Sequence, residues 1–310
     1  MRWIIATVLI FASSTLAADK VKLTLNWVPE PEFGGIYAAQ QNGTFAKHNL
    51  DVTITPGGAG TPTWQLVANG KTDFAVASAD EVFIARSQGA DVTTLFATYQ
   101  TCPQGLMVHA SRGLKSIADI FTVGTLAMEP GLPYVNFLKN KYGFDKIKVV
   151  AYDGGLGNFL NNKNFSQQCF ITSEPLAAKK SGSDPQVFLI SDAGYNPYTA
   201  VIITTSKLAK ENPTLVQNMF AALQEGWRTY LDDPKSANTT MSKLNPDMDL
   251  DTFAAAANAQ KPLIETDWTK AHGLGSMDPQ RWKDLGQQLL DLKVIDKTVP
   301  INECFVEVKK

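Results

Sequence analysis

The sequence predicts an α/β protein of two lobes, each a mixed sheet flanked by helices, with the chain crossing between them twice. Three observations lead there. From Val21 onward, short β-rich runs alternate with helical stretches, the rhythm of parallel βαβ units. The rhythm restarts after Cys102 and closes on a last strand-like run, YTAVIITT (198–205), beyond which the chain reads as helical. Behind the expected leader about 293 of the 310 residues remain, which at ~100–200 residues per domain suits two lobes with a cleft.

Taken in order, the first residues are MRWIIATVLIFASSTLAADK: one cation at Arg2, an apolar run from Trp3 to Ala12, and small residues ending in Thr15-Leu16-Ala17. This is the pattern of a secretory signal peptide, expected over 1–17. The run is shorter than the ~20 apolar residues of a membrane helix, and no later stretch approaches that length. A periplasmic protein is therefore expected, and with no cysteine beside the cut, one without a lipid anchor. Strands are expected at VKLTLNW, DVTITPG, TDFAVAS and DVTTLFATY, with helices between them. After Cys102 come GLMVH, FTVGTLA, IKVVAYD, QCFITS and QVFLIS. Lobe 1 is expected over 18–100 plus 199–310 and lobe 2 over 101–198, with a hinge at the crossings near Gln100 and Tyr198. In the stretch 210–233, Leu215, Met219, Ala222, Leu223 and Trp227 form one helical stripe, best explained by packing on its own lobe.

Composition excludes several function classes. The formal charge is −2, and loss of Arg2 makes the mature chain more acidic still, so there is no electrostatic footprint for nucleic acid. The histidines, His48, His109 and His272, are far apart without HxxxH spacing, and Cys102, Cys169 and Cys304 have no CxxC spacing. No metal and no cofactor are expected. In an oxidising compartment one disulfide is plausible, with Cys102–Cys169 the favoured pair.

Ligands of open α/β sheets sit beyond the carboxyl ends of the strands. The first such loop, Asn26 to Gly35, carries Trp27, Glu30, Glu32 and Phe33. Its carboxylates fit either a helix start or a ligand, whereas a large aromatic at Trp27 asks for a stacking partner. In the second, Pro56 to Thr61, Gly58 could bring backbone N–H groups to a ligand, although the P-loop lysine is absent. In the third, Ser78 and Asp80 suit both a helix cap and a ligand contact. The opposite lobe offers Glu129, Tyr152, Asp153, Glu174, Tyr195 and Tyr198. Aromatics and carboxylates without a loop arginine fit a planar neutral or cationic ligand better than a sulfonate or phosphate.

The segment NWVPEPEFGGIYAAQQNGTFAKHNLDVTITPG resembles the opening of the thiamine-pyrimidine-precursor and sulfonate-binding superfamily, with its W-x-P-x-x-x-x-x-G-x-Y pattern. TSEPLAAKKSG and LISDAGYNPYTAVIITTSKLAKENP are similar to its second-lobe pattern. The resemblance covers almost the whole mature chain and implies a type II periplasmic binding protein, monomeric, serving the permease of an ATP-driven importer. It implies ring contacts from Trp27 and Tyr37 and an amino-group acceptor at Glu174. Ligands in such a group include thiamine pyrimidine precursors, riboflavin, sulfonates and nitrate. The synthase branch has a histidine where Phe33 stands and a cysteine-rich motif that is missing here. The expectation is a binding protein rather than an enzyme. The alternatives are a pyrimidine-processing enzyme using Glu174 or Asp153 as base, and an extracytoplasmic sensor domain.

Overall fold

The computed structural model describes residues 17–308, so the expected leader lies outside the described residues apart from Ala17. Ten strands form: β1 (Asp19–Thr24), β2 (Leu50–Thr55), β3 (Phe74–Ala77), β4 (Thr93–Tyr99), β5 (Gln104–His109), β6 (Thr125–Met128), β7 (Lys148–Ala151), β8 (Phe165–Phe170), β9 (Pro185–Leu189) and β10 (Thr199–Thr204). They make two five-stranded sheets, in the orders β2-β1-β3-β10-β4 and β7-β6-β8-β5-β9.

Each sheet is mixed for one topological reason. β1 runs parallel to β2 and β3, and β6 parallel to β7 and β8, as βαβ units require. The antiparallel strands are β5 and β10, the first strand the chain lays down after each crossing. A chain that leaves one sheet at its carboxyl edge enters the next at the edge facing it. The entering strand must then run away from the crossing, against its neighbours.

The first sheet is buried on both faces, and its side chains alternate between them. Phe74 and Val76 join the cluster that includes Trp227, whereas Ala75 and Ala77 join the cluster that includes Phe83 and Trp282. On the first of these faces the helix Gly34–Gln41 lies against the long helix Pro213–Asp232. That long helix buries the expected stripe, extended by Val216, Gly226, Tyr230 and Leu231. The two backbones approach so closely that a Cβ at Gly35 would stand 2.4 Å from the Trp227 ring, and one at Gly226 would stand 2.2 Å from the Gly35 carbonyl. The glycine pair after the first loop thus seats a helix, and with it the loop.

The crossings are gathered by one side chain. Arg281, in the helix Pro279–Asp291, donates to the carbonyls of Asn196 (2.9 Å), Pro197 (3.0 Å) and Gln100, and to Asn196 Oδ1 (3.0 Å). Its guanidinium lies 3.8 Å over the Tyr198 ring, and the Cys102 N–H donates to the same Asn196 Oδ1. Tyr198, expected in the site, is buried in this clasp, with its hydroxyl accepting from the Asp278 N–H at 2.8 Å.

All three cysteines are free and buried, so the expected Cys102–Cys169 bridge is absent. The ladder explains why: Cys169 pairs with Gly105, three residues beyond Cys102, a separation of ~10 Å along a strand and too far for a disulfide. Burial pushes the Cys102 thiol up to about 11. Among the described residues no helix is long and apolar enough to cross a membrane.

Candidate functional site

A cavity of about 330 Å³ lies between the carboxyl edges of the two sheets, walled by loops from both. The first loop enters it because Leu25 and Gly57 tie β1 to the loop after β2: the Gly57 N–H donates to the Trp27 carbonyl at 3.0 Å. A Cβ at Gly57 would stand 2.2 Å from the Leu25 carbonyl, so only glycine fits that approach. Asn26, Trp27, Glu30 and Glu32 then face the cavity. Asn26 Oδ1 is buried without a hydrogen-bond partner.

Glu30 holds the N-cap position of the 3₁₀ turn Pro31–Phe33 without a side-chain cap bond, and Glu32 lies inside the turn. Burial pushes the Glu30 carboxyl up to about 7, reinforced by the charge of Glu174 from the facing sheet and opposed by Ser173 and Trp27. Burial, followed by Glu30 and Glu174, likewise holds Glu32 well above the usual carboxylate range.

Across the cavity Glu174 opens the helix Glu174–Lys180. One oxygen accepts from the Tyr152 hydroxyl at 2.7 Å and the other from the Phe170 N–H at 2.8 Å. Burial raises its carboxyl, and those two donors oppose the shift.

At the third loop Ser78 caps the helix Ala79–Ser87 in a capping box with Glu81. The Ser78 N–H donates to Glu81 at 2.8 Å. Asp80 is buried and accepts from the Tyr195 hydroxyl (2.7 Å), the Ser78 hydroxyl and the Glu81 N–H (3.0 Å). Burial, then Asp80, push Glu81 up to about 7, with a smaller contribution from Glu129 on the facing sheet.

Nine of the residues expected from the sequence thus meet on one cavity: Asn26, Trp27, Glu32, Ser78, Asp80, Glu129, Tyr152, Glu174 and Tyr195. Four lie elsewhere. Phe33 and Tyr37 are buried in the core with Ile36, because the i, i+3, i+4 face they share turns toward the helix Pro213–Asp232. Tyr198 belongs to the hinge clasp. Gly58 turns within its own loop, its N–H donating to Thr61 Oγ1, and it is Gly60 and Thr61 that reach the cavity.

The wall also holds residues not singled out from the sequence, among them Glu81, Gln104, Tyr134 and Gln168. Gln168 accepts from the Glu129 N–H and the Tyr134 hydroxyl. A signal existed: two consecutive glutamines, 167 and 168, in a strand buried on both faces need polar partners. Among the described residues no histidine lines the cavity and no group of three His, Cys, Asp or Glu could hold a metal. His109 is instead stacked on Phe159 at 4.1 Å and bonded to Asp184 at 2.8 Å.

Comparison with known proteins agrees with this architecture. The chain is 22% identical to the formylaminopyrimidine-binding protein of Halalkalibacterium halodurans, over 88% of this chain and 86% of that one. It is equally 22% identical to a 4-amino-5-hydroxymethyl-2-methylpyrimidine phosphate synthase of Legionella pneumophila, over 93% and 91%. The alkanesulfonate-binding protein SsuA of Xanthomonas axonopodis pv. citri superposes with a TM-score of 0.70 at 12% identity, over 94% of this chain and 99% of that one. The fold is that of the periplasmic binding proteins. A family model described as "NMT1/THI5 like" matches residues 30–237, a span that begins inside the first loop at Glu30 and holds both crossings and most of the cavity wall, so the chain belongs to the NMT1/THI5-like family.

Proposed function

We propose that this chain is the substrate-binding component of an ATP-driven importer, acting in the periplasm and capturing a small planar heterocycle of the aminopyrimidine kind by hinge closure. The observation that carries the reading is the cavity between two sheets linked by two chain crossings and walled by Trp27 and carboxylates from both sides. A ligand touching both sheets stabilises the closed arrangement, and the closed arrangement is what a permease would recognise. An aminopyrimidine would stack on Trp27 and give its amino hydrogens to carboxylates. The formylaminopyrimidine-binding relative supports this class of ligand. Relatives with synthase names match over most of the chain, yet among the described residues the wall has no histidine and Phe33 is sealed in the core, which favours capture over chemistry.

A thermal-melt panel on the mature protein tests the proposal, with aminopyrimidines, riboflavin, alkanesulfonates and nitrate each in excess. An aminopyrimidine at ~100 times its Kd should stabilise by ~2.7 kcal/mol and raise the melting temperature by several degrees. Trp27→Ala should weaken that ligand roughly tenfold or more while the protein stays folded. A shift with sulfonates or nitrate alone would overturn the ligand class, and turnover of the bound ligand to a new mass would overturn capture.

A further inference from the structure

We propose that the cleft is built for a compact planar organic cation of the amidinium or guanidinium type, carrying N–H donors at both ends, and that closure of the two lobes depends on its positive charge. This deepens, and rests on, the reading of the cavity as a capture site.

Charge is the first argument. Carboxylates reach the cavity from both sheets: Glu30, Glu32, Asp80 and Glu81 from the first, Glu129 and Glu174 from the second. Among the described residues no lysine, arginine or histidine lines it.

Hydrogen-bonding capacity is the second argument, and it is independent of the first. The hydroxyls on the wall are largely spent on internal acceptors: Tyr152 on Glu174, Tyr134 on Gln168, and Tyr195 and Ser78 on Asp80. What is left over is carboxyl oxygen above all. Among the described residues the carboxyls of Glu32 and Glu129 receive no hydrogen bond, Asn26 Oδ1 is buried without a partner, and so is the Thr199 hydroxyl, whose residue is 8% exposed. With its carboxyls ionised against a bound cation, such a wall offers more acceptors than donors. It suits a ligand rich in N–H groups and opposes a sulfonate, a nitrate or a carboxylate.

Placement is the third argument. Glu30, Glu32 and Glu81 line the cavity from the first sheet and Glu129 and Glu174 from the second, and the charge of Glu174 bears on Glu30 and Glu32 as, more weakly, that of Glu129 does on Glu81. Closing an empty cleft therefore brings like charges together at two places. A cation between them replaces repulsion with charge-assisted hydrogen bonds, so the energy of closure is coupled to ligand charge. Two such places require donors at both ends of the ligand. The Trp27 indole on the wall selects a flat cation.

Benzamidinium and benzamide are near-isosteric and differ in charge, so calorimetric titration of both at neutral pH isolates charge. The expected result is benzamidinium at least tenfold tighter than benzamide, with biguanide, which has donors at both ends, tighter than guanidinium. Glu32→Gln and Glu129→Gln should each bring the amidine-to-amide ratio toward one while the ligand-free melting temperature holds or rises. Equal binding of the two wild-type probes would overturn the proposal, as would a ratio unchanged in both variants. If amide and amidine bind equally and a neutral aminopyrimidine still binds tightly, the cation requirement falls while capture stands. If cations, amides and heterocycles all leave calorimetry and melt unmoved, both fall together.

Discussion

Two loops on the same edge of the first sheet hold the same kind of side chain in opposite conditions. After β3, Asp80 accepts three hydrogen bonds and Glu81 closes a capping box. After β1, Glu32 accepts none and Glu30 leans on Ser173 and Trp27. The first pair helps to hold the helix Ala79–Ser87 and Tyr195 in place. The second has no such partners among the described residues beyond Ser173 and Trp27. Carboxylates that look alike in a sequence thus divide into those bonded within the wall and those left open to the cavity, and the division is made by neighbouring donors.

The largest effect that tests this division is on stability. Asp80→Ala strips the partner from a buried tyrosine hydroxyl and should cost about 3 kcal/mol, lowering the melting temperature by roughly 6–12 °C. Calorimetry or circular dichroism would show it, and a loss under ~1 kcal/mol would erase the distinction. Glu32→Gln should do the reverse: leave the fold intact and weaken a bound cation by ~10–100-fold, equivalent to ~1.4–2.8 kcal/mol.

A pH series comes next. Glu30 and Glu81 are both raised from 4.5 to about 7. A carboxyl raised by folding binds its proton more tightly in the native state than in the unfolded one. The stability it contributes is complete below the unfolded value and is lost as pH rises through the folded value. The ligand-free melting temperature should therefore fall between about pH 5 and 8, and Glu30→Gln should flatten the fall. A profile that rises through that window would mean the carboxylates do not strain one another. The smallest effect concerns the rim, where Lys180 of the second lobe meets Asp249 of the first at 2.5 Å with both side chains about half exposed. Lys180→Ala should change stability by less than ~0.5 kcal/mol and ligand dissociation only slightly.

All ten strands were visible as β-rich runs, because every strand carries apolar or β-branched residues and the central ones are buried on both faces. The reversed directions of β5 and β10 were not visible, since direction depends on where the chain enters a sheet. The rule of looking beyond the strand ends found Trp27, Glu129 and Glu174. It overreached at Phe33, as the family resemblance did at Tyr37, whose helical spacing with Ile36 already indicated a core face. It could not reveal that Glu30 opposes Glu174, because which loops meet across a gap is decided by the hinge.

A hinge of bare backbone would strand its carbonyl groups each time it turned. Arg281 prevents this: one flat, charged group with several donors stays with the same oxygens of Gln100, Asn196 and Pro197 while resting on the face of Tyr198. A flat cation on the face of a ring is a contact that can swivel without being lost. In the proposed hinge closure the clasp would act as a fixed bearing, so that opening is rotation about a point in place of general loosening. Tyr195 lies one residue from that bearing and holds Asp80, so the wall-building carboxylate travels with the pivot. On the proposed capture function, turning would release a ligand while the most heavily bonded acid kept its partners.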